Sequence, residues 1–180
     1  MNSSDPLLSC ALAYKNLLDV TYVFTLGKKG KLVTVELSFE KVHFHHLAGL
    51  HKLKDIAFLR SGQREKIFDG ILAKKITYDV IAKSGNIAEA DKRLASLSKL
   101  EQLLDSKKLV FRFLEKNFPF SKIQCTYLIQ SSYANSIFYI FLDSKTGNKY
   151  FCRSLFEKEK TDYTKNQPKW TIINVIKKTR

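Results

Sequence analysis

Cysteine is scarce in this chain: Cys10, Cys125 and Cys152 are the only three in 180 residues. Their odd number and wide spacing argue against a disulfide framework and against a zinc knuckle. Proline (3) and glycine (7) are also sparse, so a long disordered tail is not expected. No run of about 18 apolar residues occurs, which excludes a membrane-spanning helix. The opening segment MNSSDPLLSCALAYKN carries no basic stretch ahead of its apolar part. It does not read as a signal peptide. The expectation is a cytoplasmic protein with one domain over residues 1–180.

Several reaction signatures are missing too. The chain has no G-x-x-x-x-G-K-S/T, no G-x-G-x-x-G, no H-E-x-x-H and no G-x-S-x-G, the patterns of nucleotide hydrolysis, dinucleotide redox, metalloprotease and serine-hydrolase chemistry. The GKKGK at residues 27–31 is a basic hairpin turn without P-loop spacing. Acidic residues are the minority, 17 against 31 Lys and Arg, for a net charge of +14. The cations are spread along the chain rather than held in a tail. A folded basic surface attracts polyanions, phosphate backbones above all, although a surface tuned for solubility carries the same excess.

With 44% hydrophobic and 12% aromatic residues, the chain can build a core. In the N-terminal segment 1–20, Asp5-Pro6 has the form of a helix cap followed by Pro at the first helical position. Leu7, Leu8, Ala11, Tyr14, Leu17 and Leu18 then share one helical face. Residues 21–40 read as a β-hairpin around the Gly27–Gly30 turn. Residues 44–118 read as a helical part. It comprises a histidine-bearing segment, a helix over 64–83 closed by Ser84-Gly85-Asn86, and a helix over 88–116 stopped by Pro119. Residues 121–178 contain four strand candidates, IQCTYLIQS, SIFYIFLDS, KYFCRSLFEK and KWTIINVIKK, joined by short turns. Such turns favour antiparallel neighbours. The expected fold is α+β: N-terminal helices and a hairpin, followed by a four-stranded antiparallel sheet.

All four histidines lie in HFHHLAGLHKLK: His43, His45, His46 and His51. If His43 and His45 are extended they point to one side, a chelating geometry. No nearby Asp, Glu or Cys completes a ligand set, so no metal is expected. If residues 44–56 are helical, His51 shares a face with Leu47 and Leu50, with Lys54 one turn beyond. Gly49 lowers helix stability and permits close approach by the sheet or a ligand. Imidazoles beside ammonium groups suit proton transfer on an anionic phosphodiester. The same pattern also fits partly buried helix histidines hydrogen-bonded to their neighbours.

Two further groups carry candidate chemistry. In a regular strand Cys152 and Ser154 share one face while Arg153 and Leu155 share the other. Arg153 could clamp a phosphate and Ser154 could orient a leaving oxygen, or Arg153 could be an ordinary sheet arginine paired with an acid. The loop TDYTKNQPKWT (161–171) mixes basic and aromatic residues, as a nucleic-acid contact does and as a solvated hairpin loop also can.

Taken in order, FHHLAGLHKLKDI (44–56), SIFYIFLD, FCRSLF and DYTKNQPKWTII resemble the phage-associated branch of the barnase–EndoU–colicin–RelE-like nucleases, from about Tyr22 to the C-terminus. The resemblance implies metal-independent cleavage of RNA by its own 2′-hydroxyl, with no cofactor. It also implies a role as a toxin or phage-related effector, with a cognate acidic antitoxin as a partner. It places the motif histidine on His46, the motif lysine on Lys52 and the Arg-Ser pair on Arg153 and Ser154. The closing motif falls on Asp162, Tyr163, Thr164, Gln167 and Thr171. The expected catalytic residues are therefore His46, His51, Arg153 and Ser154, and the expected RNA-binding residues are Lys52, Lys54, Tyr163, Thr164, Gln167 and Thr171. The competing reading is a non-catalytic basic module that binds nucleic acid or protein.

Overall fold

The computed structural model describes residues 5–179; the first four residues of the expected 1–20 segment and Arg180 lie outside it. Asp5 caps α1 (Pro6–Lys15), its carboxylate accepting from the backbone N–H of Leu8 at 2.9 Å. The same carboxylate accepts from the N–H of Tyr78 at 2.8 Å, tying a later turn to this one. A hairpin follows, β1 (Val20–Lys28) and β2 (Lys31–Ser38). Its two-residue loop places Lys29 and Gly30 at positive φ, 47° and 75°, the mirror-image turn that matches strand twist.

The helical part is more broken than its periodicity suggests. It contains α2 (Lys41–Leu47), α3 (Arg64–Leu72), α4 (Tyr78–Ile81), α5 (Ile87–Leu97) and α6 (Leu100–Asp105). Short 3-10 turns at Leu50–Lys52 and Ala57–Arg60 lie between α2 and α3. The single helix expected over 64–83 is interrupted at residues 73–77, where Lys74 takes a positive φ of 58°. The helix expected over 88–116 ends at Asp105, and Lys108–Arg112 form a strand, β3. In this run Val110 is β-branched and Phe111 aromatic, side chains that suit a strand.

The remaining strands are β4 (Tyr127–Tyr133), β5 (Ser136–Thr146), β6 (Lys149–Glu157) and β7 (Lys169–Thr179). They do not form the separate four-stranded antiparallel sheet of the α+β expectation. All seven strands close a mixed barrel in the order β1-β2-β6-β5-β4-β3-β7. The hairpin enters it because β1 pairs with both β2 and β7. Closure rests on two short ladders. One is parallel, Glu36 with Lys149 and Leu37 with Tyr150; the other joins Val110 to Trp170 and Phe111 to Lys169. Closing the sheet shortens the exposed edges that the hairpin and the C-terminal strands would otherwise present.

One face of the strands and the apolar faces of the helices share a single core that includes Tyr14, Phe24, Phe44, Phe68, Leu94 and Ile140. A second cluster on the opposite face of β3–β5 gathers Phe113, Leu128, Tyr139 and Phe141. α6 is fastened to the strands by polar contacts: Tyr22 Oη donates to Asp105 at 2.7 Å, and Lys177 bridges Glu101 and Asp105 at 2.9 Å each. No helix among the described residues is long and apolar enough to cross a membrane.

Candidate active site

Beyond Tyr150, β6 loses its β2 partner while keeping β5 on its other side. A bare strand edge of this kind needs cover, and α2 and α5 both pack against β6 there. The histidines ride on α2 and the turn after it. His43 and His45 are helical, not extended, so they do not point to one side. The His43 ring stacks on Phe151 at 4.6 Å and 12°. His45 is buried and donates from Nε2 to the Leu59 carbonyl at 2.9 Å, pinning the second 3-10 turn onto α2.

His46 and His51 behave differently. In a continuous helix, five residues apart means about 140° around the axis. Here α2 stops at Leu47 and Gly49 takes φ 76°, so that Leu50–Lys52 fold back. The two rings consequently stack at 4.1 Å and 18°. A Cβ on Gly49 would stand 3.1 Å from Ala90 Cα and 3.0 Å from Arg93 Cγ. The close approach that this glycine permits is thus to α5, not to the sheet.

Arg93 is delivered by that contact. Its Nη1 donates to Ser154 Oγ at 2.9 Å and to the Leu155 carbonyl at 3.1 Å, and its guanidinium lies 5.3 Å over the Phe156 ring. The sequence reading missed Arg93 altogether; only the glycine facing it hinted that something packs there. On β6, Phe141 pairs with Ser154 and Leu142 with Cys152, which leaves Arg153 as the extra residue of a bulge. Adjacent residues of β5 face opposite ways, so Cys152 and Ser154 do not share a face, as strict alternation would require. Arg153 donates to Asp143 Oδ2 at 2.8 Å.

Of the four imidazoles, His46 alone is largely open to solvent. Partial desolvation first, then the fields of Arg93, Arg153, Arg64 and His45, lower its pKa to about 4. Desolvation and the neighbouring His46, Lys52, Arg93 and His45 lower that of His51 to about 3. Both rings are therefore neutral at pH 7. Because the unfolded chain takes up protons on these residues near pH 6.5 and the folded chain resists until about pH 4, stability falls as pH drops through that window. Urea unfolding at pH 7 and pH 5 should show a lower midpoint at pH 5, and His51→Phe should flatten the difference. An unchanged midpoint in the parent would refute the lowered values. Among the described residues no group of three or more His, Cys, Asp and Glu stands close enough to hold a metal ion.

A model of one protein family matches residues 6–179, nearly the whole chain. The chain belongs to the phage-Barnase-EndoU-ColicinE5/D-RelE like nuclease 4 family. This agrees with the resemblance carried by the histidine, Arg-Ser and closing motifs. No curated protein and no solved structure matches it. Membership of a nuclease family implies a nucleic-acid substrate.

In this family member, α2 packs against β6, Arg93 of α5 bonds Ser154, and Arg153 stands near enough to His46 to act on its charge. Lys52 is exposed beside His51, and Lys54 is exposed farther along the same segment. The 161–171 loop contributes less directly. Asp162 accepts from the Thr164 N–H and hydroxyl, from Tyr139 and from Lys158, which together hold its carboxyl well below the usual range. Gln167 is buried, taking the Leu114 N–H at 2.8 Å and donating to the Leu114 carbonyl at 3.3 Å. Tyr163 packs into the second aromatic cluster beside Phe156. Thr171 lies on β7 opposite Gly27. Asp162, Thr164 and Gln167 thus shape the loop by bonds within the protein.

Proposed function

We propose that the protein is an endoribonuclease that cleaves RNA by transesterification without a metal ion. The observation that carries this reading is the exposed His46 imidazole, stacked on His51 at 4.1 Å and close enough to Arg93, Arg153 and Arg64 to feel their charge. His46 takes the proton of the ribose 2′-hydroxyl. The 2′-oxygen attacks the adjacent phosphorus, the bond to the 5′-oxygen breaks, and a water in the open cleft protonates the departing oxygen. The products are a 2′,3′-cyclic phosphate and a free 5′-hydroxyl. Cations around the phosphate offset the charge that grows on its oxygens.

His51 holds the His46 ring by stacking, and Ser154 holds Arg93. Lys52 and Lys54 extend the basic surface along which RNA would lie. Binding alone needs only Arg and Lys. The competing reading, a non-catalytic basic module, therefore leaves the paired imidazoles without a task. In a phage-type nuclease family, such an activity suits a toxin or mobile-element effector. Its neutralising partner would be acidic, to match the +14 charge.

Incubating purified protein with RNA in excess EDTA tests the proposal. Cleavage that leaves cyclic phosphate ends supports it. Salt-sensitive binding with no cleavage would establish the module instead, and activity that returns only with added divalent ion would overturn the metal-free mechanism.

A further inference from the structure

We propose that Arg93 and the groove beside it form a nucleotide subsite, the guanidinium holding a phosphate and the groove holding the attached base. The proposal rests on the reading of the histidine edge as an RNA-cleaving site, and it adds where the neighbouring nucleoside goes.

Arg93 and Arg153 differ in how their charge is met. Arg153 is ion-paired with Asp143 at 2.8 Å. No carboxylate lies within ion-pair distance of Arg93 among the described residues, although it is half-buried. Its Nη1 makes bonds only to a hydroxyl and a carbonyl, both neutral. Nη2 and Nε make none among the described residues, so donors in the planar fork that suits a phosphate remain unused. Glu89, one helical turn earlier on α5, eases this charge only from beyond ion-pair distance, so a half-buried guanidinium with donors to spare favours an anion that meets it directly.

A groove of about 850 Å³ opens from Arg93, between α5 and the segment that follows β6. That is room enough for a nucleotide. Phe156 and Tyr163 line it, with Lys92, Lys158, Glu157 and Glu159. Two of its four lysines are already met by carboxylates, Lys92 by Glu159 and Lys158 by Asp162, Lys99 lies over the Tyr133 and Phe138 rings, and the carboxylates of Glu89, Glu157 and Glu159 line the groove beside them. Glu157, by contrast, makes no hydrogen bond or ion pair among the described residues. A free carboxylate next to an anion site repels a second phosphate, yet it accepts well from the amino group of a base. The groove therefore fits the aromatic, uncharged end of a nucleotide, with a preference for adenine, cytosine or guanine over uracil.

Calorimetric titration of the full-length protein with inorganic phosphate and with AMP, CMP, GMP and UMP tests this. The amine-bearing mononucleotides should bind at least about tenfold tighter than inorganic phosphate, with UMP the weakest of the four. Arg93→Lys should weaken all four. Glu157→Gln, at an exposed position whose change spares the fold, should weaken AMP, CMP and GMP about tenfold and leave UMP unchanged. Mononucleotides that bind no better than phosphate would overturn the subsite, as would Glu157→Gln leaving the order of bases intact. Nucleotide binding without RNA cleavage would sink the catalytic reading and keep the subsite. Cleavage without nucleotide preference would do the reverse.

Discussion

Replacing His46 with alanine is expected to lower RNA cleavage about a thousandfold while the protein stays folded, the scale of a lost proton-transfer group. The surroundings single out this imidazole. His45 spends its Nε2 proton on the Leu59 carbonyl, and His43 lies flat on Phe151. His51 keeps a buried Nδ1 with no partner among the described residues and presents its ring face to His46. His51→Phe keeps a flat ring in the stack and should therefore cost about tenfold or less. If His51→Phe is the crippling change and His46→Ala the mild one, the two roles are exchanged.

The pH–rate profile offers a second reading of the same residue. An ordinary histidine base loses half its neutral form near pH 6.5. With its pKa lowered to about 4, His46 stays neutral well below that. The acid limb of kcat/KM, which reports the free enzyme, should thus lie near pH 4. A limb at 6.5 that disappears in His46→Ala would keep the residue's role and discard the lowering by desolvation and the neighbouring arginines.

Gly49→Ala is the second large effect, expected to lower stability by about 3 kcal/mol, the sum of left-handed strain and overpacking. The added methyl would stand 3.1 Å from Ala90 Cα, a backbone atom that cannot swing aside. Gly62 supplies the control: its φ is 75°, but a methyl there meets nothing within 4 Å. Gly62→Ala should cost about 1 kcal/mol, for conformation alone. The difference in urea unfolding between the two variants measures the contact between the histidine turn and α5. Gly49→Ala should also depress RNA cleavage in the fraction that stays folded, because Arg93 is what the methyl pushes. Equal losses in the two glycine variants would mean that the close approach carries no weight.

How far these features were legible in the chain depends on their range. The Asp5-Pro6 cap, the Lys29-Gly30 turn and the strand runs 136–144, 149–158 and 169–178 are encoded by residues close in sequence. Those elements stand where the local patterns put them. The interruption at Lys74 and the strand at Lys108–Arg112 were hidden because Leu and Phe serve helix and strand equally well in short runs. Barrel closure depends on pairings such as Glu36 with Lys149, which no local pattern announces. The site divides in the same way. His46 and the Arg153-Ser154 pair could be singled out from motifs, and the packing of α2 against β6 brings the elements that carry them together. Arg93 sits in an ordinary amphipathic helix, and only packing against Gly49 makes it distinctive. The bulge at Arg153 is invisible to a rule of strict alternation.

The parallel ladder between β2 and β6 has a consequence for synthesis. Its partners, Glu36–Leu37 and Lys149–Tyr150, lie more than a hundred residues apart, and joining them closes a loop whose entropy must be met before any contact rewards it. The histidine turn, which ends at Lys52, is made directly after β2, well before β6 begins at Lys149. A nascent chain therefore exposes its imidazoles while Arg153 and Ser154 have still to be added. The order of synthesis keeps the two halves of the proposed site apart until β6 emerges.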